Sequence, residues 1–330
     1  MTSAAELVAA GYIGTTDGLV QIRETVGDPH SGPGGRAYAC TLAGGLAFEV
    51  LPERGLDIGA VWYGGRPVAW RSPLGSPGPS AAAREWIDRF GGGLVITCGL
   101  DNIGPARAGL GQHGTHHDTR AYDVVVARVT RDDGTPGIRI TGTVDSMAVF
   151  GRRVRVHRTI TAWCDDPALH LTDTIVNDGA WPAPVAVLYH CNFGAPLVLP
   201  GTRVGVRAES CNRREPGSVP DDPTTYPGVI DHVDEAVWVY TGLEATDGWA
   251  AARVTSPEGL VGEVRWRTDT LPYLFQWVFP TRSAWALGLE PANAPMWGPE
   301  RDCEGAGVPV LAPGATLVTE VEVRFSAPQG

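Results

Sequence analysis

The chain has 330 residues and a formal net charge of −11, and all 26 of its basic residues are arginine. The excess of acidic residues argues against nucleic acid or an anionic membrane as a partner. The absence of lysine excludes a Schiff-base lysine, a phosphate-loop lysine and a lysine general base. Hydrophobic residues make up 43% of the chain and charged residues 19%, which is an ordinary balance for a globular protein.

Two short helices are predicted near the start of the chain. The first covers residues 3–10, where Ser3 is well placed to cap the amino-terminal end. The second follows Ser80, another capping residue, and covers residues 81–90 until a run of three glycines ends it. The 43 glycines and 27 prolines of the chain make longer helices unexpected.

Much of the remaining sequence alternates apolar and polar residues with a period of two. This pattern is typical of strands that have one face in the core and one in solvent. We therefore predict an all-β fold, a large antiparallel β-sandwich, formed as a single domain over residues 1–330. Residues 1–45 would hold the N-terminal helix and the first strands. The clearest strands are predicted at residues 153–163, 169–172, 263–267 and 320–325.

Six cysteines are scattered along the chain without a Cys-x-x-Cys pair. The first eleven residues lack the basic segment of a secretion signal, and no apolar run reaches membrane-spanning length. We therefore expect a cytoplasmic protein whose cysteines are reduced, small, buried hydrophobic residues. They are Cys40, Cys98, Cys164, Cys191, Cys211 and Cys303.

Two polar residues stand at the ends of strongly apolar runs. His190 closes a run that starts at residue 185, and Glu290 closes one that starts at residue 284. A buried imidazole or carboxylate needs a hydrogen-bonding partner or a substrate. Asn192 lies on the same strand face as His190 and extends the polar patch. A lone core histidine bonded to backbone is the usual explanation of such a position, but an acid and an imidazole on rigid strands are typical of general acid–base catalysis.

Residues 112–118 contain three histidines, His113, His116 and His117. Neutral imidazoles bind zinc and similar ions, so the cluster has a metal-binding interpretation. However, His116 and His117 would face opposite sides of an extended chain, and the sequence has no His-Glu-x-x-His or paired-cysteine motif. We favour a single functional histidine with two loop companions and predict no metal site.

Two further polar groups lie next to residues that should be buried. Arg54 and Asp57 form either a structural ion pair or a substrate-binding pair, since the fork of arginine donors suits hydroxyl groups or a carboxylate. Asn102 precedes an Ile-Gly dipeptide in an apolar context. It is interpreted as a turn former or, less commonly for such residues, as a ligand-binding residue.

Several of these residues belong to motifs that occur in a fixed order. The motifs are His113-Gly114, Tyr189-His190-Cys191-Asn192-Phe193-Gly194 and Leu289-Glu290-Pro291. On an all-β chain of this length they resemble the aldose 1-epimerase (galactose mutarotase-like) family. Four further motifs resemble a bacterial branch of that family: Arg54-Gly55-Leu56-Asp57-Ile58-Gly59, Trp70-Arg71-Ser72-Pro73, Thr97-Cys98-Gly99-Leu100-Asp101-Asn102 and Glu290-Pro291-Ala292-Asn293.

The resemblance implies a β-supersandwich with an open, sugar-sized cleft. It also implies a reaction that interconverts the α and β anomers of a free sugar without a cofactor. In that reaction His113 would contact the sugar, His190 would be the general acid facing the ring oxygen, and Glu290 would be the general base. Substrate binding is predicted for Arg54, Asp57, Asn102 and Asn192, and Trp277 and Trp297 are candidates for stacking on the sugar ring.

The sequence departs from the family pattern at two points. The usual His-Gly-Gly is here His113-Gly114-Thr115. Many family members carry an aspartate between the second histidine and the base, and Asp231 is only a loose candidate for it. Both departures bear on the identity of the sugar more than on the acid–base pair.

Two alternative functions stay open. One is a related isomerase or lyase acting on a keto- or uronic sugar, with help from Arg54 or from a metal held by His113 and His117. The other is a non-catalytic carbohydrate-binding protein. In each case the expected partner is a small-molecule sugar, with neither nucleic acid nor a membrane, and a homodimer is one option for an oligomeric state that the sequence leaves open.

Overall fold

The computed structural model of the chain describes residues 3–26, 35–75 and 85–328. Helices are short in these ranges: α1 (Ala4–Ala9) and α2 (Pro299–Asp302). Single 3₁₀ turns occur at Thr16–Gly18, Trp86–Asp88, His116–Asp118 and Glu304–Gly307. In this part of the chain no helix is long and apolar enough to cross a membrane.

The first predicted helix is confirmed by α1, and its cap forms as the sequence indicates. The Ser3 hydroxyl oxygen accepts a hydrogen bond from the Glu6 N–H at 3.2 Å. The Glu6 carboxylate in turn accepts from the Ser3 N–H at 2.7 Å. This reciprocal capping box satisfies two backbone donors that the helix itself leaves without partners.

The second predicted helix is wrong where the structure describes it. Ser80 and residues 81–84 lie outside the described residues, and only a 3₁₀ turn at Trp86–Asp88 follows them. Glu85 has an extended backbone (φ −58°, ψ 153°), and Arg89 has left the helical region (φ −133°, ψ 0°). Tertiary packing sets this conformation, since Trp86 is buried against Phe90 with ring centroids 4.2 Å apart.

Strands account for most of the regular secondary structure in the described residues. Numbered along the chain, they are β1 (Val20–Val26), β2 (Arg36–Leu42), β3 (Leu46–Leu51), β4 (Asp57–Tyr63), β5 (Arg66–Pro67), β6 (Val95–Leu100), β7 (Tyr122–Thr130), β8 (Pro136–Met147), β9 (Arg153–Trp163), β10 (Asp166–Asn177), β11 (Ala183–Pro184), β12 (Ala186–Phe193), β13 (Arg203–Val206), β14 (Ala208–Arg213), β15 (Ala236–Leu243), β16 (Trp249–Thr255), β17 (Val261–Arg267), β18 (Tyr273–Phe279), β19 (Ala286–Ala292), β20 (Val310–Leu311) and β21 (Thr316–Ser326). The four clearest predicted strands lie within β9, β10, β17 and β21.

Among the described residues these strands form two large antiparallel sheets and one small ladder. The larger sheet has 11 strands in the spatial order β1-β2-β3-β4-β6-β12-β19-β18-β15-β14, with β5 beside β4. The smaller sheet has eight strands in the order β13-β16-β17-β21-β10-β9-β8-β7, and β11 pairs with β20. The inner faces of the two sheets share one hydrophobic core, so the predicted all-β sandwich is confirmed.

Three central strands of the larger sheet, β6, β12 and β19, are buried on both faces. On β12, Val187, Tyr189 and Cys191 point into the core between the sheets. Ala186 and Leu188 point the other way, into a second apolar cluster on the outer face. Burial on both faces explains why the sequence of these strands is a continuous apolar run rather than an alternating pattern. A polar side chain on their outer face therefore lies beneath covering loops.

A buried ionic network joins the two sheets. Arg158 on β9 donates to the Asp173 carboxylate on β10 (Nε–Oδ1 2.8 Å, Nη2–Oδ2 2.7 Å) and to Asp57 Oδ1 on β4. Thr97 on β6 donates to Asp57 through its N–H at 2.9 Å, and the Tyr189 hydroxyl on β12 donates to Asp173 at 2.7 Å. All five side chains are buried. Because charges inside a protein need such partners to offset their desolvation, the network fixes β4, β6 and β12 against the smaller sheet.

The cysteines follow the prediction only in part. All six are free thiols, and Cys40, Cys98, Cys164 and Cys191 are buried as expected. Cys211 and Cys303 are exposed, so the expectation of burial is wrong for these two. Cys211 lies on β14, an edge strand of the larger sheet whose residues are all exposed or half-buried.

Candidate active site

A cleft of about 230 Å³ opens on the outer face of the larger sheet. Its lining includes His113, His190 and Glu290, the three residues predicted from the sequence to be catalytic. Tryptophan side chains form much of its wall: Trp86, Trp277 and Trp297. The cleft is smaller than the sites that enclose drug-sized ligands.

Strand register brings His190 and Glu290 together. β12 and β19 pair so that Leu188 is opposite Ala292 and Cys191 is opposite Leu289, which sets His190 directly across from Glu290. The His190 Nε2 and Glu290 Oε1 atoms are 3.2 Å apart, and the residues are 3% and 2% exposed. Antiparallel pairing of two strands thus produces a close imidazole–carboxyl pair from residues a hundred positions apart in sequence.

Burial acts on the two members of this pair in opposite directions. It raises the pKa of Glu290 well above its usual range, and the nearby Glu235 charge adds to this effect while Arg214 opposes it. Burial lowers the pKa of His190 well below its usual range, with a further contribution from His113, and the Asn192 side chain opposes the shift. The resting pair is therefore a carboxylic acid beside a neutral imidazole, which differs from the carboxylate and imidazolium expected from the sequence.

Polar atoms of the pair lack other partners among the described residues. His190 Nδ1 and Glu290 Oε1 are buried, and neither has a well-aligned hydrogen bond. Buried polar atoms are nearly always hydrogen-bonded, and exceptions concentrate at functional sites. These two atoms can therefore form hydrogen bonds with a ligand in the cleft.

His113 reaches the cleft from the loop that follows β6. Its backbone has φ +57°, a left-handed conformation that is strained for a residue other than glycine. Its Nδ1 accepts a hydrogen bond from the Gly104 N–H at 3.3 Å, so the ring proton is carried by Nε2. Burial lowers the pKa of His113 to about 4. The ring lies 4.5 Å from the Trp86 ring and 5.9 Å from the His190 ring, and it presents a neutral N–H donor to the cleft.

Gly288 has no side chain, which makes room for the His190 and Glu290 side chains. It lies on β19 two residues before Glu290, on the same face. A Cβ atom at Gly288 would lie 2.6 Å from Glu290 Oε1 and 3.0 Å from His190 Cε1. Only glycine fits here without displacing one of the two side chains.

The cleft residues that were not predicted from the sequence include Trp86, Arg214 and Glu235. Arg214 Nη2 donates to Glu235 Oε1 at 2.9 Å, and Trp277 Nε1 donates to Glu235 Oε2 at 2.8 Å. The sequence offers one weak signal for Glu235, a carboxylate immediately before the apolar start of β15. The signal for Trp86 was obscured by the predicted helix.

Asp231, the loose candidate for the family aspartate, lies elsewhere. Its side chain is 75% exposed and pairs with Arg282, with 2.6 Å between Oδ1 and Nη2. It does not line the cleft. Glu235, four residues further along, is the acidic side chain from this segment that lines the cleft.

Arg54 and Asp57, predicted to bind substrate, do not line the cleft. Asp57 is fully buried in the network between the sheets. Arg54 Nη2 lies 3.5 Å from Asp118 Oδ1 and donates to the Arg89 carbonyl at 3.2 Å. Both residues have structural contacts: Arg54 lies in the turn between β3 and β4, and the Asp57 side chain at the start of β4 points into the interior.

Asn102 and Asn192 are also absent from the cleft lining. The Asn102 amide donates to the carbonyls of Pro105 and Gly111, at 2.9 and 2.8 Å. The Asn192 amide donates to the carbonyls of Gly93 and His190, at 3.0 and 2.8 Å. Both amides thus brace backbone around the cleft, and the prediction that they bind substrate directly is not supported by their positions.

The other two histidines of the cluster lie in a 3₁₀ turn, not in an extended segment. His116 is buried beside Gly55, and His117 Nε2 lies 3.1 Å from Asp118 Oδ2. Burial lowers the pKa of His116 to about 4 and that of His117 well below its usual range. Across the described ranges, no three His, Cys, Asp or Glu side chains are grouped so that they could hold a metal ion.

The chain has the fold of the galactose mutarotase-like proteins, as three solved structures show. One, from Klebsiella pneumoniae and provisionally assigned as an aldose 1-epimerase, matches with a TM-score of 0.83 and 21% identity over 93% of this chain and 83% of its own. A galactose mutarotase-like protein from Clostridium acetobutylicum matches with a TM-score of 0.62 and 13% identity, covering 94% of this chain and 100% of its own. Galactose 1-epimerase from Lactobacillus acidophilus matches with a TM-score of 0.60 and 12% identity, with the same two coverages.

The chain belongs to the family described as "Domain of unknown function (DUF4432)", whose sequence profile matches residues 32–325. A curated relative, the S-adenosyl-L-methionine-dependent uroporphyrinogen III methyltransferase of Methanosarcina barkeri, is 28% identical over 172 residues. That alignment includes 48% of this chain and spans 65% of the relative's length. Such partial similarity does not extend the relative's activity to this chain.

Proposed function

We propose that the protein is a cofactor-free sugar mutarotase that interconverts the α and β anomers of a free monosaccharide. One observation carries the proposal: a buried imidazole and a buried carboxyl group lie 3.2 Å apart in a small cleft. This pair can accept a proton at one position and donate one at another. The mutarotase-like fold supports the proposal as an analogy, because fold alone does not establish activity.

The proposed reaction needs one mobile proton in the pair. Ring opening removes the proton of the anomeric hydroxyl and delivers a proton to the ring oxygen, which leaves a free carbonyl at C1. Rotation about C1–C2 and closure from the other face reverse both transfers and give the other anomer. In the resting pair Glu290 holds the proton and His190 is the free base, whereas transfer between Oε1 and Nε2 gives the opposite assignment. Both forms contain the same number of protons, so either delivers the same net chemistry.

The other cleft residues have supporting roles in this proposal. His113 presents its Nε2–H to a sugar oxygen. Because its pKa is lowered to about 4, the ring is neutral and adds no charge next to His190. Trp86 and Trp277 line the cleft and give it aromatic surface that suits the C–H groups of a sugar. Glu235 holds Trp277 in place through the indole N–H.

The test is NMR exchange spectroscopy of anomer interconversion on a panel of free monosaccharides. Glu290→Gln keeps the size of the side chain but cannot exchange the proton, so we expect it to lower the enzymatic rate on the best sugar by about a hundredfold or more. Asp231→Asn makes the same chemical change on an exposed side chain outside the cleft and should keep the wild-type rate.

Two results would contradict the proposal. Full activity of Glu290→Gln would show that Glu290 takes no part in proton transfer. Saturable binding of a sugar to the wild-type protein, with no acceleration of exchange for any sugar, would instead identify a non-catalytic carbohydrate-binding protein.

A further inference from the structure

Arg301 is a buried cation next to the cleft wall. Among the described residues this guanidinium has no acidic partner. It lies in α2 and is 6% exposed. Its Nη2 donates to Asn102 Oδ1 at 2.5 Å and to the Ile103 carbonyl at 3.3 Å. Burying a guanidinium with only neutral acceptors is costly, so the contact with Asn102 requires an explanation.

Asn102 in turn holds both ends of the loop that carries His113. Its side-chain amide donates to the Pro105 carbonyl at 2.9 Å and to the Gly111 carbonyl at 2.8 Å. With two donors and one acceptor engaged, the amide can adopt only one orientation. The loop is closed beside it by Gly104 and His113: the His113 N–H donates to the Gly104 carbonyl at 3.0 Å, and the Gly104 N–H donates to His113 Nδ1.

The segment that leads into α2 forms the facing part of the same wall. Met296 and Trp297 line the cleft, and Met296 packs so closely on Gly104 that a Cβ atom there would lie 2.9 Å from the Met296 Cβ. Arg107 from the loop donates to the Arg301 carbonyl. Two segments almost two hundred residues apart in sequence are therefore joined where Arg301 meets Asn102.

We propose that Arg301 and Asn102 are positioning residues that hold His113 in place and in its Nε2–H tautomer. Arg301 orients the Asn102 amide, the amide fixes both ends of the loop, and the closed loop presents the Gly104 N–H to Nδ1. Neither residue lines the cleft, so they act through His113. The predicted effect on catalysis rests on the proposed mutarotase function, whereas the effect on the His113 tautomer does not.

The test compares Arg301→Met and Arg301→Lys with the wild-type protein. The tautomer and titration of His113 are followed by proton–nitrogen NMR of the imidazole rings, and the anomer exchange rate is measured alongside. We expect Arg301→Met to mix the two His113 tautomers and to lower kcat by about 10- to 100-fold, since misplacing a reacting group by about 1 Å has an effect of this size. Arg301→Lys keeps one donor for Asn102. Its His113 tautomer ratio and its kcat should therefore lie between those of Arg301→Met and the wild-type protein.

A matched control is Arg128→Met. Arg128 also donates to a backbone carbonyl, that of Val20, but it lies on β7 of the smaller sheet. This variant should leave the His113 tautomer and the exchange rate unchanged.

The double variant Arg301→Met, His113→Gln tests whether Arg301 affects the rate through His113. If Arg301 works through His113, Arg301→Met should lower the rate no further in the His113→Gln background. Full additivity of the two changes, or an unchanged His113 tautomer in folded Arg301→Met, would overturn the proposal. If no sugar is turned over even by the wild-type protein, the mutarotase function fails, and the NMR signals of His113 still test the positioning role.

Discussion

Desolvation controls the chemistry of the individual side chains in the cleft. Inside the protein, charge on either member of the His190–Glu290 pair is disfavoured, and a single proton shared between them removes both charges at once. His113 is neutral for the same reason. The site thus combines three titratable groups in a small volume without a net charge, which suits an uncharged sugar hydroxyl as the reacting group.

Gly288→Ala tests whether the close approach of the pair matters. The new methyl group would overlap Glu290 Oε1 and crowd His190, so one side chain must move. We expect the anomer exchange rate to fall by about 10- to 100-fold, with the protein still folded. Gly205→Ala is the matched control, because its nearest neighbouring atom would be 4.0 Å from the new Cβ. Equal rates for both variants would show that the pair tolerates displacement.

At the scale of secondary structure, β12 links the cleft to the interior of the sandwich. Its side chains alternate, so Tyr189 points inward and His190 points to the cleft. The Tyr189 hydroxyl contacts Asp173 at 2.7 Å and Thr319 at 2.5 Å, both on the smaller sheet. The position of His190 therefore depends on how the two sheets are fastened together, and not only on neighbouring strands.

Asp173→Asn should weaken the contacts between the two sheets. The change removes the charge that Arg158 and Tyr189 contact and leaves an under-compensated guanidinium in the interior. We expect the free energy of unfolding in urea to fall by about 3 kcal/mol. Asp231→Asn removes an exposed partner of Arg282 and should give no measurable change. Wild-type stability of Asp173→Asn would show that the buried network does not hold the sheets.

For the molecule as a whole, buried histidines set how stability responds to pH. The pKa values of His113 and His116 are lowered to about 4, and those of His117 and His190 are also lowered. In the unfolded chain all four titrate near the ordinary histidine value. Below that value the unfolded chain binds protons that the folded chain does not, so acid favours unfolding.

The pKa of His170 is shifted in the opposite direction, upward. It contacts the Glu322 carboxylate at 3.2 Å, and hydrogen bonds to Asp166 and Glu322 outweigh desolvation and raise its pKa to about 9. Its contribution to stability is complete below the ordinary histidine pKa and is lost as pH rises through about 9. Stability should therefore be greatest between these acid and alkaline limits.

Urea unfolding across pH checks this prediction. From about pH 6.5 down to about pH 4.5, we expect each of His113, His116 and His117 to lower the free energy of unfolding by about 1.4 kcal/mol per pH unit. The contribution of His190 is offset by Glu290, which keeps its proton only in the folded protein. His113→Gln should reduce the acid slope. His170→Gln should leave the slope from the buried histidines intact and remove the loss of stability between about pH 6.5 and about pH 9. An acid slope that His113→Gln does not change would mean that His113 titrates normally in the folded protein.

Local sequence was enough to predict the all-β fold and to single out His190 and Glu290, whereas His113 was chosen among three neighbouring histidines through the family resemblance. The alternation of β9, β10, β17 and β21 reports one buried face per strand, which depends only on neighbouring residues. His190 and Glu290 stand out for a related reason. Each interrupts an apolar run that is buried on both faces, and a polar group there is costly unless it is used.

Only the tertiary structure decided which polar groups share the cleft. Asp57 and Asn102 sit in sequence contexts much like those of His190, yet one binds Arg158 between the sheets and the other braces a loop. Glu235 and Arg214 carry no comparable signal and still line the cleft. The physical reason is long-range register: which strands become neighbours, and which residues lie opposite one another, follows from packing over the whole sandwich and not from any local pattern.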